Sequence, residues 1–178
     1  MTELDDSWLP DPQKNGILHR QAARVILFDW EDRILLLHGH DSDDPTYQWW
    51  FTVGGGLEVG ETAKQAAVRE VAEETGVELH ECDLEGPILR RQAIFHFVNQ
   101  TVFQDEEFFL AKLTTVGEAV DDTRHTAIER KTVDGYRWMT LQELSQRAAA
   151  ELVFPKTLPL LAKQWSKGWD GNCLQLDE

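Results

Sequence analysis

The sequence GGLEVGETAKQAAVREVAEETGV, residues 55–77, joins a glycine turn to a helix that carries three glutamates on one side. The apolar run WWFTV, residues 49–53, leads into it as a strand and stops at Gly54, Gly55 and Gly56, where backbone without side chains can change direction. A helix is predicted next. Thr62 and Gln65 have capping-box spacing, Ala63, Ala67 and Val71 recur every four residues as a packing stripe, and Gly76 is a natural C-terminal stop. On that helix Glu70, Glu73 and Glu74 stand at i, i+3 and i+4, within about 100° of one face. Such crowding of like charges destabilises a helix unless a cation offsets it. Donors that are all oxygen suit Mg²⁺ (or Mn²⁺) rather than zinc.

Outward from this stretch the chain alternates strands and helices, which defines an α/β fold. Residues 22–28 (AARVILF) and 34–38 (ILLLH) read as a hairpin across Asp29 to Arg33, and residues 38–48 (HGHDSDDPTYQ) as a polar loop. His38 and His40 in that loop are taken as solvated rather than metal-binding. Residues 88–98, 102–113 and 136–139 read as strands, and Thr140 with Glu143 caps a helix reaching about Glu151. Thr157 caps a last helix from Leu158 to about Lys167, with Pro159 in its first turn. No internal repeat is present. Residues 1–16 are expected to be a flexible acidic tail, and residues 17–178 one domain with a C-terminal helix.

A formal charge of −15, from 32 acidic against 17 basic residues, repels nucleic-acid backbones and anionic membranes. Long nucleic acids are therefore not the expected partner, whereas a small polyanion is admissible once bound metal reverses the local field. Cys82 and Cys173 stand far apart, with neither disulfide-framework nor zinc-ligand spacing. The acidic start is unlike a secretory signal, and no apolar run approaches the roughly 20 residues of a membrane span, so a cytoplasmic protein is expected.

Gly55, Glu61, Arg69, Glu70, Val71, Glu73, Glu74, Gly76 and Val77 fit the pattern G-x5-E-x7-R-E-U-x-E-E-x-G-U, where U is aliphatic. Chance agreement at its strict positions is on the order of 10⁻⁹ at ordinary residue frequencies. The stretch resembles the Nudix box of the Nudix hydrolases. RWMTLQEL, with Trp138 ahead of a capped helix, resembles a stretch near the end of such domains and extends the likeness over roughly residues 20–150. Val53 departs from it, since many relatives have proline before the glycines.

The resemblance implies an α/β/α sandwich with a mixed sheet, the box forming a loop and helix beside the cleft. It implies Mg²⁺- or Mn²⁺-dependent hydrolysis of a diphosphate linkage in a nucleoside diphosphate derivative or a related small molecule. Glu70, Glu73 and Glu74, with the carbonyl of Gly54, would hold the metal, and one carboxylate would help activate water. Glu61 would accept hydrogen bonds from Arg69, making Arg69 an orienter, with Gly55 and Gly76 as structural support. Many members use a further glutamate outside the box; Glu106 and Glu107 are placed for it, Glu107 being favoured, with Glu118 and Glu129 as alternatives. Two other readings are a catalytically silent sensor of nucleotide derivatives, which usually loses box glutamates, and an isoprenoid diphosphate isomerase, which lacks a complete box. Specificity is expected in the loops 38–48 and 114–134. Trp49 and Trp50 point to opposite faces of their strand, so at most one lines a pocket. Trp165 and Trp169 would pack on the domain or on a second subunit, leaving room for a homodimer.

Overall fold

The computed structural model describes residues 9–10, 18–96, 101–117, 120 and 132–178. Glu118, Glu129 and most of the loop 114–134 lie outside the described residues. Nine described strands make one mixed sheet: β1 (Leu9–Pro10), β2 (Leu18–Phe28), β3 (Ile34–His40), β4 (Gln48–Gly56), β5 (Glu85–His96), β6 (Thr101–Lys112), β7 (Val133–Met139), β8 (Leu152–Phe154) and β9 (Leu174–Asp177). Their order is β7-β3-β4-β2-β6-β5-β9, with β1 on β2 and β8 on β4. The β2–β6, β4–β8 and β5–β9 pairs are parallel.

Side-chain alternation gives this sheet two apolar faces, and each is covered by helix. Ala23, Val25, Leu27, Leu35, Leu37 and Phe109 pack against Ala66, Ala67 and Val71 of α1 (Ala63–Thr75). Ile26, Phe28, Ile34, Leu36, Phe108 and Leu110 pack against Leu144 of α2 (Leu141–Ala148) and Leu158, Ala162 and Trp165 of α3 (Leu158–Trp165). The result is the α/β/α sandwich that the sequence implied. Each buried Leu, Ile or Phe stabilises it by about 1.5–3 kcal/mol. No described helix is long and apolar enough to cross a membrane.

Local sequence signals explain where α1 starts and stops. Thr62 accepts from the Gln65 amide while the Gln65 side chain accepts from the Thr62 amide, and Gly76 ends the helix in the left-handed region at φ 72°. Thr140 and Glu143 cap α2 in the same way. At α3 the expectation fails in part. Pro159 does sit in the first turn, but Thr157 already has helical backbone angles and its side chain makes no capping bond. The chain enters α3 from a turn in which the Leu158 amide donates to the Pro155 carbonyl, so the hydroxyl is not presented to the orphan amides.

Other expectations are corrected. The hairpin across residues 29–33 is present but paired only next to its turn, at Phe28 and Ile34, before the strands separate. Strand β4 runs antiparallel to both, pairing Gln48 to Thr52 with β3 and Val53 to Gly56 with β2. The glycines therefore lie inside β4 rather than after it, and β3 continues to His40 rather than ending in a loop at His38. Leu9 and Pro10, within the expected tail, pair with His19 and Leu18. Trp165 is only 2% exposed and Trp169 packs against the same core, so both are used by the domain itself and lend no support to a second subunit.

The turn between β2 and β3 is organised by Asp29, which is fully buried. Its carboxylate accepts from the amides of Glu31, Arg33 and Gly117 and from the Arg33 side chain. Burial alone would raise its pKa, but the Gly117 and Arg33 hydrogen bonds outweigh burial and hold it below the usual carboxylate range. A depressed folded-state pKa stabilises the fold at pH above the ordinary aspartate value, and that contribution is lost as pH falls through the lowered one. Asp29→Ala should cost about 3 kcal/mol in urea unfolding at neutral pH, and the deficit should shrink in acid. A deficit independent of pH would show that the charge plays no part.

Candidate active site

The centre of the site is a backbone position that only glycine fills. Gly54 has φ 128°, and a Cβ there would overlap the Ala23 carbonyl and come within 2.8 Å of the Arg24 Cα. Its amide donates to Glu74 Oε2 at 2.7 Å, joining β4 to α1. Its carbonyl accepts from the Arg24 guanidinium, whose Nε donates to Glu106 Oε1 at 3.0 Å. Gly55 lies under the Glu70 carboxylate so closely that an added Cβ would sit 2.5 Å from Oε1. The glycine run thus brings two carboxylates of α1 onto the strand.

Those carboxylates differ in exposure. Glu70 and Glu74 are 6% and 3% exposed, whereas the Glu73 side chain is 38% exposed and forms the outer edge. Arg69 binds them together. Nη1 donates to Glu70 Oε1 at 2.8 Å and Glu73 Oε2 at 3.1 Å, and Nε and Nη2 reach the two Glu61 oxygens at 3.0 Å each. Nη2 also donates to the Gly56 carbonyl at 2.9 Å, so the loop, strand and helix share one guanidinium. The bidentate bond to Glu61 outweighs burial, which would lower the Arg69 pKa, and together with the adjacent Glu70 charge drives it upward. Burial would raise Glu61, but Arg69 and the Glu58 amide hold it below the ordinary glutamate value. The expected Glu61–Arg69 clamp is present.

Glu106 and Glu107 point to opposite faces of β6. Glu106 is 3% exposed and lies between Arg24 and Arg91, with Arg91 Nη1 3.2 Å from Oε2. Arg91 is held in turn by Glu178 at 3.1 Å, and its burial pulls its pKa down against the two carboxylates. Glu107 instead accepts from Arg90 at 2.9 Å on the more exposed side. It is Glu106, therefore, that is tied through Arg24 to Gly54. Sequence reasoning missed Arg24, although a lone charge inside AARVILF was a signal for it. Trp50 is buried and its indole donates to Glu151, while Trp49 is half-buried beside Tyr47. His40 and His38 lie 2.9 Å and 3.5 Å from one Asp134 oxygen, which joins β3 to β7.

Gly54 carbonyl oxygen, Glu70, Glu73 and Glu74 form an all-oxygen set with two carboxylates already desolvated, which fits a hard divalent cation. Among the described residues these side chains do not converge as a ready-made metal cluster. Arg69 lies between Glu70 and Glu73, and its Nη1 must yield to a cation for the two to share it.

A NUDIX domain model matches residues 18–161, and the chain belongs to the Nudix family. Members of this family generally need a divalent metal. A putative 8-oxo-dGTP diphosphatase of Bacillus subtilis is 30% identical over 123 residues, covering 69% of this chain and 68% of that protein. An RNA pyrophosphohydrolase of Dinoroseobacter shibae is 36% identical over 66 residues; the match spans 37% of this chain and only 39% of that relative. In fold the chain is similar to the NUDIX domain of Shewanella oneidensis NrtR, solved with ADP ribose, with a TM-score of 0.59, 18% identity, and coverage of 86% and 91% of the two chains.

The Gly55 contact yields a test. Gly55→Ala should fold, because the clash is with the end of a side chain, yet displacing Glu70 should weaken Mn²⁺ binding at least about tenfold in calorimetry. Unaltered affinity would remove Glu70 from the cation site.

Proposed function

We propose that the chain hydrolyses a diphosphate linkage in a small nucleoside diphosphate derivative, using Mg²⁺ or Mn²⁺ held by Glu70, Glu73, Glu74 and the Gly54 carbonyl. The observation that carries this reading is the seating of two buried box carboxylates on Gly54 and Gly55, where Glu74 grips the Gly54 amide at 2.7 Å. The names of the relatives, a diphosphatase and a pyrophosphohydrolase, support it. A net charge of −15 favours a small nucleotide over a long RNA chain.

When bound, a divalent ion neutralises phosphate oxygens and lowers the pKa of attacking water. The chain's own residues supply the frame. Glu74 fixes the glycine backbone, Glu70 lies over Gly55, and Arg69 sets Glu70 and Glu73 against Glu61 and Gly56. We assign the further carboxylate outside the box to Glu106 in place of Glu107, because Arg24 bridges Glu106 to the Gly54 carbonyl. In this reading Glu106 acts through Arg24, holding the Gly54 carbonyl in position from the far face of the sheet.

The test is phosphate or pyrophosphate release from a panel of nucleoside di- and triphosphate derivatives with Mg²⁺ or Mn²⁺. At least one should turn over, with kcat falling about 100-fold or more in Glu74→Gln. No turnover of any panel member, with tight binding retained, would replace the hydrolase by a sensor. Glu106→Gln should lose a similar factor while Glu107→Gln stays within about threefold of wild type; the reverse ranking would return the role to Glu107.

A further inference from the structure

Four charged side chains that the box does not supply form a line. Arg24 and Glu106 stand two residues before Ile26 and Phe108, on the sheet face that packs against α2 and α3. Arg24 Nε donates to Glu106 Oε1 at 3.0 Å, Glu106 Oε2 lies 3.2 Å from Arg91 Nη1, and Arg91 Nε lies 3.1 Å from Glu178 Oε2. The Arg91 and Glu106 side chains are 3% and 1% exposed, so little water screens their charges. The rings of Phe95 and Phe154 flank the Arg91 guanidinium, with centroids at 5.3 Å and 5.8 Å. Burial pulls the Arg91 pKa below its usual value, Glu106 and Glu178 oppose that, and the Arg24 charge adds to it. Two arginines thus share one central glutamate, and Glu178 offsets their mutual repulsion.

Glu178 is seated by main chain. Its amide donates to the Gln92 carbonyl at 2.8 Å, its carbonyl accepts from the Ile94 amide at 3.0 Å, and Oε1 accepts from the Lys156 amide at 2.9 Å. Fixing one carboxylate oxygen in this way aims the other at Arg91.

We propose that Glu178 is a positioning residue for the cation site, acting through Arg91, Glu106 and Arg24 on the Gly54 carbonyl. Its charge occupies Arg91, which leaves Glu106 to anchor Arg24, and Arg24 donates to that carbonyl. Without it the buried line holds one excess positive charge. Arg91 then draws Glu106 away from Arg24, and the field at the glycine turn disfavours a divalent ion. The inference rests on the metal reading above and extends it to the residue that follows β9, the last strand in the sheet order.

Mn²⁺ calorimetry without substrate reads this role apart from turnover. Glu178→Gln keeps an oxygen for the Lys156 amide and removes the charge, and it should weaken Mn²⁺ binding about fivefold or more. The double variant Arg91→Met/Glu178→Gln removes one charge of each sign and keeps Arg24 on Glu106. It should return the affinity to within about twofold of wild type. A role confined to packing would leave the double variant at least as impaired as the single one. Glu74→Gln, which should abolish binding, identifies the box as the site measured. Unaltered affinity in Glu178→Gln, or a double variant no better than the single, would overturn the role of Glu178 alone. No binding at the box in wild type would overturn it together with the metal reading. The expected ranking of affinities without turnover of any substrate would support Glu178 and remove only the hydrolysis.

Discussion

The buried hydrogen bond from the Gly54 amide to Glu74 is the contact on which the site depends. It requires a residue at φ 128°, and the Ala23 carbonyl leaves no room for a side chain, so glycine is compulsory. With that bond in place α1 lies over the strand at a fixed height, and Glu70 falls onto Gly55. The carbonyl on the other side of the same residue is then free to take Arg24. From Arg24 a continuous set of charged contacts runs through Glu106 and Arg91 to Glu178. A single glycine therefore couples the helix on one face of the sheet to a buried ion chain on the other.

Both halves of that arrangement obey one electrostatic rule. Carboxylates taken out of water must be paired, since breaking a buried pair typically costs about 3–5 kcal/mol. On α1 the pairing falls to Arg69, which touches Glu61, Glu70, Glu73 and the Gly56 carbonyl. On the far face it falls to Arg24 and Arg91 around one glutamate. The difference is exposure. Arg69 keeps 23% of its side chain exposed, whereas Arg91 is 3% exposed and locked between two acids. The proposed cation would enter the first cluster, and the second is rigid.

Features written in consecutive residues were legible in the sequence. The capping box at Thr62 and Gln65, the alanine stripe and Gly76 specify α1 without help from the rest of the chain, and the box spacing places its glutamates on one face. Features set by strand pairing were not. Glu106 and Glu107 are adjacent in QDEEFF, and only the register against Arg91 and Arg90 separates the buried one from the exposed one. The hairpin around Asp29 stays short for the same reason, because β4 takes up the rest of both strands. Thr157 has the right side chain for a cap, but a tertiary turn at Pro155 determines its backbone. For Trp165 the domain and a second subunit both stood open, because the sequence cannot show which core a terminal helix covers.

The most direct measurement is an anomalous difference map from a crystal of the protein grown or soaked with Mn²⁺. The account predicts a peak bounded by the Gly54 carbonyl, Glu70, Glu73 and Glu74, with Arg69 withdrawn from Glu70 and still bound to Glu61. A peak between His38, His40 and Asp134, with none at the box, would contradict it.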